Sequence, residues 1–371
     1  MSADVQFVTV QSLGAVGILR RAPIVTDRLV FSTESLPGEE PTLMRTAGYA
    51  TLRRNCRRHL RFITALLSLV VAVTVSGCGA GNPDSRTVTV GHSLGRTTID
   101  GVPKRIVTLG TQWLDATESL GVQPVGYLDD VLVRTGQSAP WEPTSLHSST
   151  AIDAKGDVPA QVAALHPDLI LASTVTDKPT IDKLDTIAPT IPNLSRSRVQ
   201  SWSDEVRVLG KVLARDDTAQ SVIDKVNGQM DATIAKYPGL KGKTFATVYY
   251  SGDDQITVFA DKDDPTSTFF IRMGMVLAPN LVAMVGPVGH MLLPPGRVSE
   301  LNADMLGVAL AEPDQQGEFQ SLPGYWQLPA AQHGTVGFLG LATAIGLDQQ
   351  SPLSLPYILD RIQPVLAATA R

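Results

Sequence analysis

Cysteine is nearly missing from this sequence: the 371 residues hold two, Cys56 and Cys78. Both fall within the first 78 positions, so the rest of the chain can build neither a disulfide framework nor a thiolate metal site. Aromatic residues are also sparse, at 5% against 43% hydrophobic residues in all. An aliphatic core of that kind suits α/β packing. Catalytic signatures are absent: there is no Gly-x-Ser-x-Gly, no P-loop, no His-Glu-x-x-His, and no Gly-x-Gly-x-x-Gly after the first strand. His92, His147, His166, His290 and His333 are scattered, and no two stand at metal-ligand spacing. The run "DKDDP" at Asp261–Pro265 lacks the acidic ligand that ends a calcium loop, and reads as a solvated turn before a helix. Nor is there a surplus of positive charge. Residues 1–77 carry nine Arg, no Lys and five acidic groups, which leaves 22 basic against 31 acidic residues from position 78 onward. Nucleic acid is therefore a disfavoured partner. No tandem repeat of solenoid length is present.

What is there begins with a leader. A basic cluster at residues 53–61, an apolar run from Phe62 to Val75, and the small residues Ser76-Gly77 before Cys78 follow the order of a secretory signal peptide. The run is too short, and too interrupted by Thr64, Ser68 and Thr74, for a membrane span of roughly twenty residues. The residues before Cys78 resemble the lipobox of bacterial lipoproteins, which implies lipidation of Cys78 and anchoring to a membrane surface. A start at Met44 gives this signal an ordinary length. Residues 1–43 are then expected to be an upstream extension or disordered, 44–77 the signal, and 78–85 a polar tether.

Beyond the tether, "RTVTVGHSLGRTTID" alternates β-branched and polar residues around Gly91 and Gly95, as a hairpin does. An apolar strand at Ile106–Leu109, a helix "TQWLDATESLG" and a strand in "VQPVGYL" give the βαβ signature of a parallel sheet. "DVPAQVAALHPDLILAS" repeats it with a strand at Leu169–Ala172. "KPTIDKLDTIAPTIPNL" repeats it again, with Pro179 in a first helical turn and a strand expected from Ile187 to Leu194. Then Ala219, Val222, Ile223, Val226, Met230 and Ile234 recur at helical spacing. A helix from Thr218 to Lys236 is roughly 30 Å long, and it separates this block from a second one with strands at Phe245–Tyr250, Ile256–Phe259 and Val336–Leu339. "SPLSLPYILDRIQPVLAATAR" closes the chain as a helix. The blocks echo each other: Leu165-His166-Pro167-Asp168-Leu169-Ile170 and Leu301-Asn302-Ala303-Asp304-Met305-Leu306 share one order of residue types.

Ligands of open α/β sheets bind beyond the carboxyl ends of strands. Aromatic and cationic residues recur at such positions here: Trp113; Tyr127, Arg134 and Trp141 around a Pro-rich loop; Arg196, Arg198 and Trp202; Tyr249 and Tyr250; and Arg297. For any one of them, packing or solvent competes with ligand contact. Their recurrence favours the set.

The phrases "PKRIVTLG", "ESLGVQPVG", "AALHPDLILAS", "LDTIAPTI", "LGKVL", "QLPAAQHGTVGFL" and "SPLSLPYILDRIQPVL", behind a lipobox, resemble the siderophore-binding lipoproteins of ABC iron importers, of actinobacterial type. The resemblance runs from about Arg86 to the C-terminus. It implies two Rossmann-like lobes joined by a single long helix, the class III periplasmic binding protein fold, with lobes at 86–215 and 239–371 and the helix at 216–238. It further implies no enzyme activity, no cofactor, no resident metal, a monomer, and a ferric siderophore or haem held in the interlobe cleft. Aromatics would pack that ligand and arginines would meet its charge. Delivery would be to an ABC permease, which family members meet with one surface glutamate per lobe. The matching position in the first lobe is Ala160, beside Gln161, and in the second Glu300 is the candidate. A haem or cobalamin binder, or a lipid-anchored enzyme on a similar scaffold, are the other readings.

Overall fold

The computed structural model describes residues 86–371 apart from 176, 198–199 and 253–254. The signal, the lipobox with Cys78, and Arg198 lie outside the described residues.

The chain opens with the expected antiparallel hairpin, β1 (Thr87–His92) and β2 (Gly95–Asp100). The first block then runs β3 (Ile106–Leu109), α1 (Thr111–Ser119), β4 (Gly126–Leu128), α2 (Asp130–Thr135), β5 (Thr150–Ala151), α3 (Val158–Ala164), β6 (Leu169–Ala172), α4 (Lys178–Asp185), β7 (Thr190–Pro192) and α5 (Trp202–Val212). Its five strands pair in parallel in the order β5-β4-β3-β6-β7. Every residue of β3 and of β6 is buried, because helices cover both faces of a parallel sheet. Side-chain alternation divides them: Ile106, Leu169 and Leu171 enter the larger hydrophobic cluster, while Val107, Leu109, Ile170 and Ala172 enter a separate one on the opposite face.

Helix α6 (Asp216–Lys236) follows. Ala219, Ile223, Val226 and Met230 are its buried residues, and Val222 and Ile234 pack at the margin of the same cluster. The spacing of three or four that suggested a helix thus becomes one apolar stripe. Pro238 then starts a short 3-10 turn, Pro238–Leu240, that ends the helix.

The second block comprises β8 (Thr244–Tyr250), β9 (Ile256–Phe259), α7 (Pro265–Arg272), β10 (Val276–Leu277), α8 (Pro279–Val285), β11 (His290–Leu293), β12 (Met305–Leu310), α9 (Gln315–Gln320), α10 (Pro329–His333), β13 (Val336–Gly340), α11 (Leu341–Asp348) and α12 (Ser354–Thr369). The strand order is β11-β9-β8-β12-β13, with β10 also alongside β8. β8, β12 and β13 are parallel neighbours and β9 is antiparallel to β8. The acidic run at Asp261–Pro265 is a helix start, as its sequence suggests: the Asp264 side chain accepts from the Ser267 N–H at 3.0 Å and caps α7.

The sequence echo between the blocks has a structural counterpart. Asp168 precedes β6, and its carboxylate accepts from the backbone N–H of Lys104 and of Arg105, both at 2.8 Å, at the start of the adjacent β3. Asp304 precedes β12 and accepts from the Thr244 N–H at 2.7 Å and the Thr244 hydroxyl at 2.8 Å, at the start of the adjacent β8. Each aspartate satisfies donors that the parallel ladder leaves free at its base. The two lobes therefore begin their central strand pairs by the same device.

Candidate functional site

The two lobes meet through segments that follow the C-terminal ends of their strands. The segments that leave those ends touch: α2, which follows β4, packs against α11, which follows β13. Gln112, in the first turn of α1 after β3, donates from Nε2 to the Gln350 carbonyl at 3.0 Å. Next to it is a buried polar clasp. Asp115 on α1 accepts through Oδ2 from Trp141 Nε1 at 2.9 Å and from the hydroxyl of Ser351, in the loop between α11 and α12. Burial drives the Asp115 carboxyl well above the usual carboxylate range, although the Ser351 and Trp141 hydrogen bonds pull the other way. Asp130, at the start of α2, is pushed up to about 6 by burial, against the opposing charge of Arg134.

Two glycines allow close approaches here, one within the first lobe and one between the lobes. Gly110 turns the chain from β3 into α1 at φ +130°, and a Cβ there would collide with the Ser173 hydroxyl beyond β6. Gly346 on α11 lies under the Trp141 ring, where a Cβ would be 2.6 Å from the ring edge. The same ring meets Tyr357 of α12, with centroids 5.6 Å apart. Trp141 is thus a wedge between the lobes, held by its nitrogen on one side and by Gly346 and Tyr357 on the other.

The remaining candidate residues sort by burial. Trp113 is fully buried and Trp202 is 8% exposed; both belong to the main hydrophobic cluster and are packing residues, not cleft walls. Tyr127 is buried with Leu114 and Leu146. Tyr250 is buried too, its hydroxyl donating to Glu318 at 2.6 Å and its ring edge-on to Phe319. Tyr249, one residue earlier, is half-buried at the C-terminal end of β8. Arg196 is exposed beyond β7 and donates from Nε to the Ser93 carbonyl at 3.1 Å, tying its loop to the hairpin turn. Arg134 is half-buried in the last turn of α2, beyond β4; with Tyr249 and Arg196 it is a described candidate that combines a position beyond a strand end with an accessible side chain.

Arg297 and Glu300, expected to serve ligand and permease separately, are joined to each other: Nε to Oε1 at 2.5 Å and Nη2 to Oε2 at 2.7 Å. Counting from the equivalent aspartates gives a further result. Ala160 lies eight residues before Asp168, and the residue eight before Asp304 is Gly296, not Glu300. The sequence also gave no signal for Trp326, which is 63% exposed and lies between α9 and α10. A cavity of about 500 Å³ lined by Lys262, Ile271, Val276, Val282 and Pro287 opens beside β10, toward the end of the sheet opposite the cleft. Among the described residues no group of three or more His, Cys, Asp or Glu is gathered to hold a metal ion. No helix of these residues is long and apolar enough to cross a membrane.

Two α/β lobes joined through one long helix have the architecture of the class III periplasmic binding proteins. The family model described as periplasmic binding protein matches residues 106–340, and the chain belongs to that family. It is 29% identical over 199 residues to the Fe(3+)-citrate-binding protein YfmC of Bacillus subtilis (strain 168), covering 48% of this chain and 61% of YfmC. It is 34% identical over 212 residues to the putative ABC transporter substrate-binding lipoprotein YhfQ of the same organism, covering 56% of this chain and 64% of YhfQ. The chain thus spans somewhat under two thirds of the length of these relatives. In fold it is similar to a periplasmic solute binding protein of Mycobacterium smegmatis, with a TM-score of 0.65 and 24% identity over 77% of this chain and 99% of that one. It is also similar to SirA of Staphylococcus aureus complexed with staphyloferrin B, with a TM-score of 0.62 and 22% identity over 76% and 99% of the two chains.

Proposed function

We propose that this protein captures a ferric siderophore or a related ferric chelate in the cleft between its lobes and hands it to an ABC importer. The observation that carries the reading is the meeting of the two lobes through segments that follow their strand ends, with α6 joining them and residues 349–351 in contact with α1 and α2. The relatives' names, Fe(3+)-citrate binding for YfmC and a staphyloferrin B complex for SirA, support the chemistry of the ligand. The folding units are a lobe at 86–215, a joining helix at 216–238 and a lobe at 239–371. Tyr249 and Arg196, with Arg198 of the same loop, are the proposed ligand contacts. The role is binding without bond chemistry, and the iron arrives and leaves inside its chelate. Cys78 is the proposed lipid anchor on the outer side of the cell membrane, which the lipoprotein name of YhfQ supports. The protein acts as a monomer.

Docking on the permease in this reading does not rely on one free glutamate per lobe, since Ala160 and Gly296 stand at the equivalent positions and Glu300 is engaged by Arg297. Thermal unfolding of the protein with ferric citrate, ferric hydroxamates, ferric catecholates, haem, cobalamin and the iron-free chelators tests the ligand. One ferric class should raise the unfolding temperature, because a ligand at about 100 times its Kd adds about 2.7 kcal/mol to the folded state. A response to haem or cobalamin alone, or to no ferric chelate, would refute it.

A further inference from the structure

Among the buried polar atoms of the described N-terminal lobe that have no hydrogen-bond partner in the protein are Thr108 Oγ1, Trp113 Nε1, Asn193 Oδ1 and both carboxyl oxygens of Glu205. Thr108, Trp113 and Glu205 are each fully buried. Topology places the four on one face of the sheet. Thr108 is two residues from Ile106 on β3 and so faces the same side of the sheet, the side that holds the main cluster with Trp113. Across the parallel ladder Thr108 stands level with Leu171, and Leu171 with Ile191; both of those also belong to the main cluster. Asn193 keeps the parity of Ile191 one residue past β7. Opposite this face, α1 packs against α5. Trp113 is in the first turn of α1, and Glu205 is in the first turn of α5, among Trp202, Val206 and Leu209 of the same cluster. All four groups therefore lie at the C-terminal end of the sheet, in the layer between it and α1 with α5.

The donor and acceptor balance says what fits among them. Trp113 offers only a donor and Asn193 Oδ1 only an acceptor, while Thr108 can do either. A cation would face the indole N–H, and an anion would face the carboxyl and the amide oxygen. A molecule that both donates and accepts matches the set, and buried waters bind where two to four polar partners converge. We propose that Thr108, Trp113, Asn193 and Glu205 form a closed internal site for ordered water in the layer between the first sheet and α1 with α5. In it Glu205, fully buried with no cation or donor of the protein on either oxygen, is a neutral acid that shares its proton with the water. The direction in which burial moves its carboxyl, up to about 8, agrees.

A crystal structure of the intact protein, at a resolution that places solvent, tests the site directly and needs no variant. The expected result is at least one ordered water within hydrogen-bond distance of two or more of the four groups. A dry site, or a direct bond from Trp113 Nε1 or the Thr108 hydroxyl to Glu205, would overturn the proposal. Infrared absorption at pH 7 supplies the second readout. Asp115, also raised by burial, can contribute to protonated-carboxyl absorption, so the expected result is a component present in the native protein and missing from Glu205→Gln, read from their difference spectrum. Identical native and variant spectra in that region would overturn the neutral acid.

Discussion

Replacing Glu205 by Gln should stabilise this protein at neutral pH. An ordinary glutamate ionises near 4.5, and burial in the α5 layer, with Asp204 beside it adding in the same direction, moves Glu205 to about 8. Between those values the folded chain holds a proton that the unfolded chain has released, so stability falls as pH rises. The sign follows from the direction of the shift: the contribution is fully present below about pH 4.5 and is lost as pH climbs through about 8. Each pH step within that window costs about 1.4 kcal/mol, so the native protein should lose about 3 kcal/mol from this group between pH 4.5 and pH 7. Glutamine has the same shape, can hydrogen-bond with the same neighbours, and cannot ionise. The Glu205→Gln protein should therefore be about 3 kcal/mol more stable than the native one at pH 7 and nearly equal to it at pH 4.5. Urea unfolding of both proteins at pH 4.5, 7 and 8.5 measures this. Parallel stability curves for the two across that range, or a variant less stable at pH 7, would refute the reasoning.

Other substitutions separate packing from binding. Trp113→Ala should cost about 3–5 kcal/mol of stability, because the ring is wholly enclosed; unchanged thermal unfolding would return Trp113 to the candidate ligand contacts. Tyr249→Ala and Arg198→Ala should instead weaken binding of the ferric chelate, and native affinity in both variants, measured by titration, would remove these residues from the site. Ser351→Ala removes the donor that ties the second lobe to Asp115 and should cost about 1–2 kcal/mol, with faster amide exchange over residues 349–354; native exchange rates would argue that the clasp contributes nothing. Ala214 follows α5 with φ +54°, a left-handed conformation that glycine adopts more readily. Ala214→Gly should therefore stabilise by about 1 kcal/mol, and a lower unfolding temperature would count against that.

Much of the fold was legible because its signals are local. The strands Ile106–Leu109, Leu169–Ala172 and Ile256–Phe259 stand where apolar runs between turn residues put them. The long helix starts two residues earlier than its periodicity indicated and ends at the same Lys236. The strand expected from Ile187 to Leu194 is shorter, Thr190–Pro192. Ile187 and Ala188 instead close the end of α4 through hydrogen bonds to the Leu184 carbonyl, a competition that apolar character alone cannot reveal. The small elements α8, β10, β11, α9 and α10 carry too few residues for any period to show.

The candidate site was less legible, for a physical reason. Position after a strand places a residue near the cleft, but whether its side chain faces solvent or core depends on what packs against it from elsewhere in the chain. Trp113 and Trp202 meet the helices of their own lobe, and Trp141 meets Gly346 and Tyr357, which lie more than two hundred residues away in sequence. Arg297 is taken up by Glu300 within a single turn, a pairing that spacing allows and only conformation selects. By itself the sequence determined the two blocks, the helix between them, and the aspartate that opens the central strand pair of each. Tertiary structure alone decided which aromatics became core, which became a wedge between the lobes, and that a carboxyl on α5 would be buried with no protein partner, because each outcome depends on surfaces brought together from distant parts of the chain.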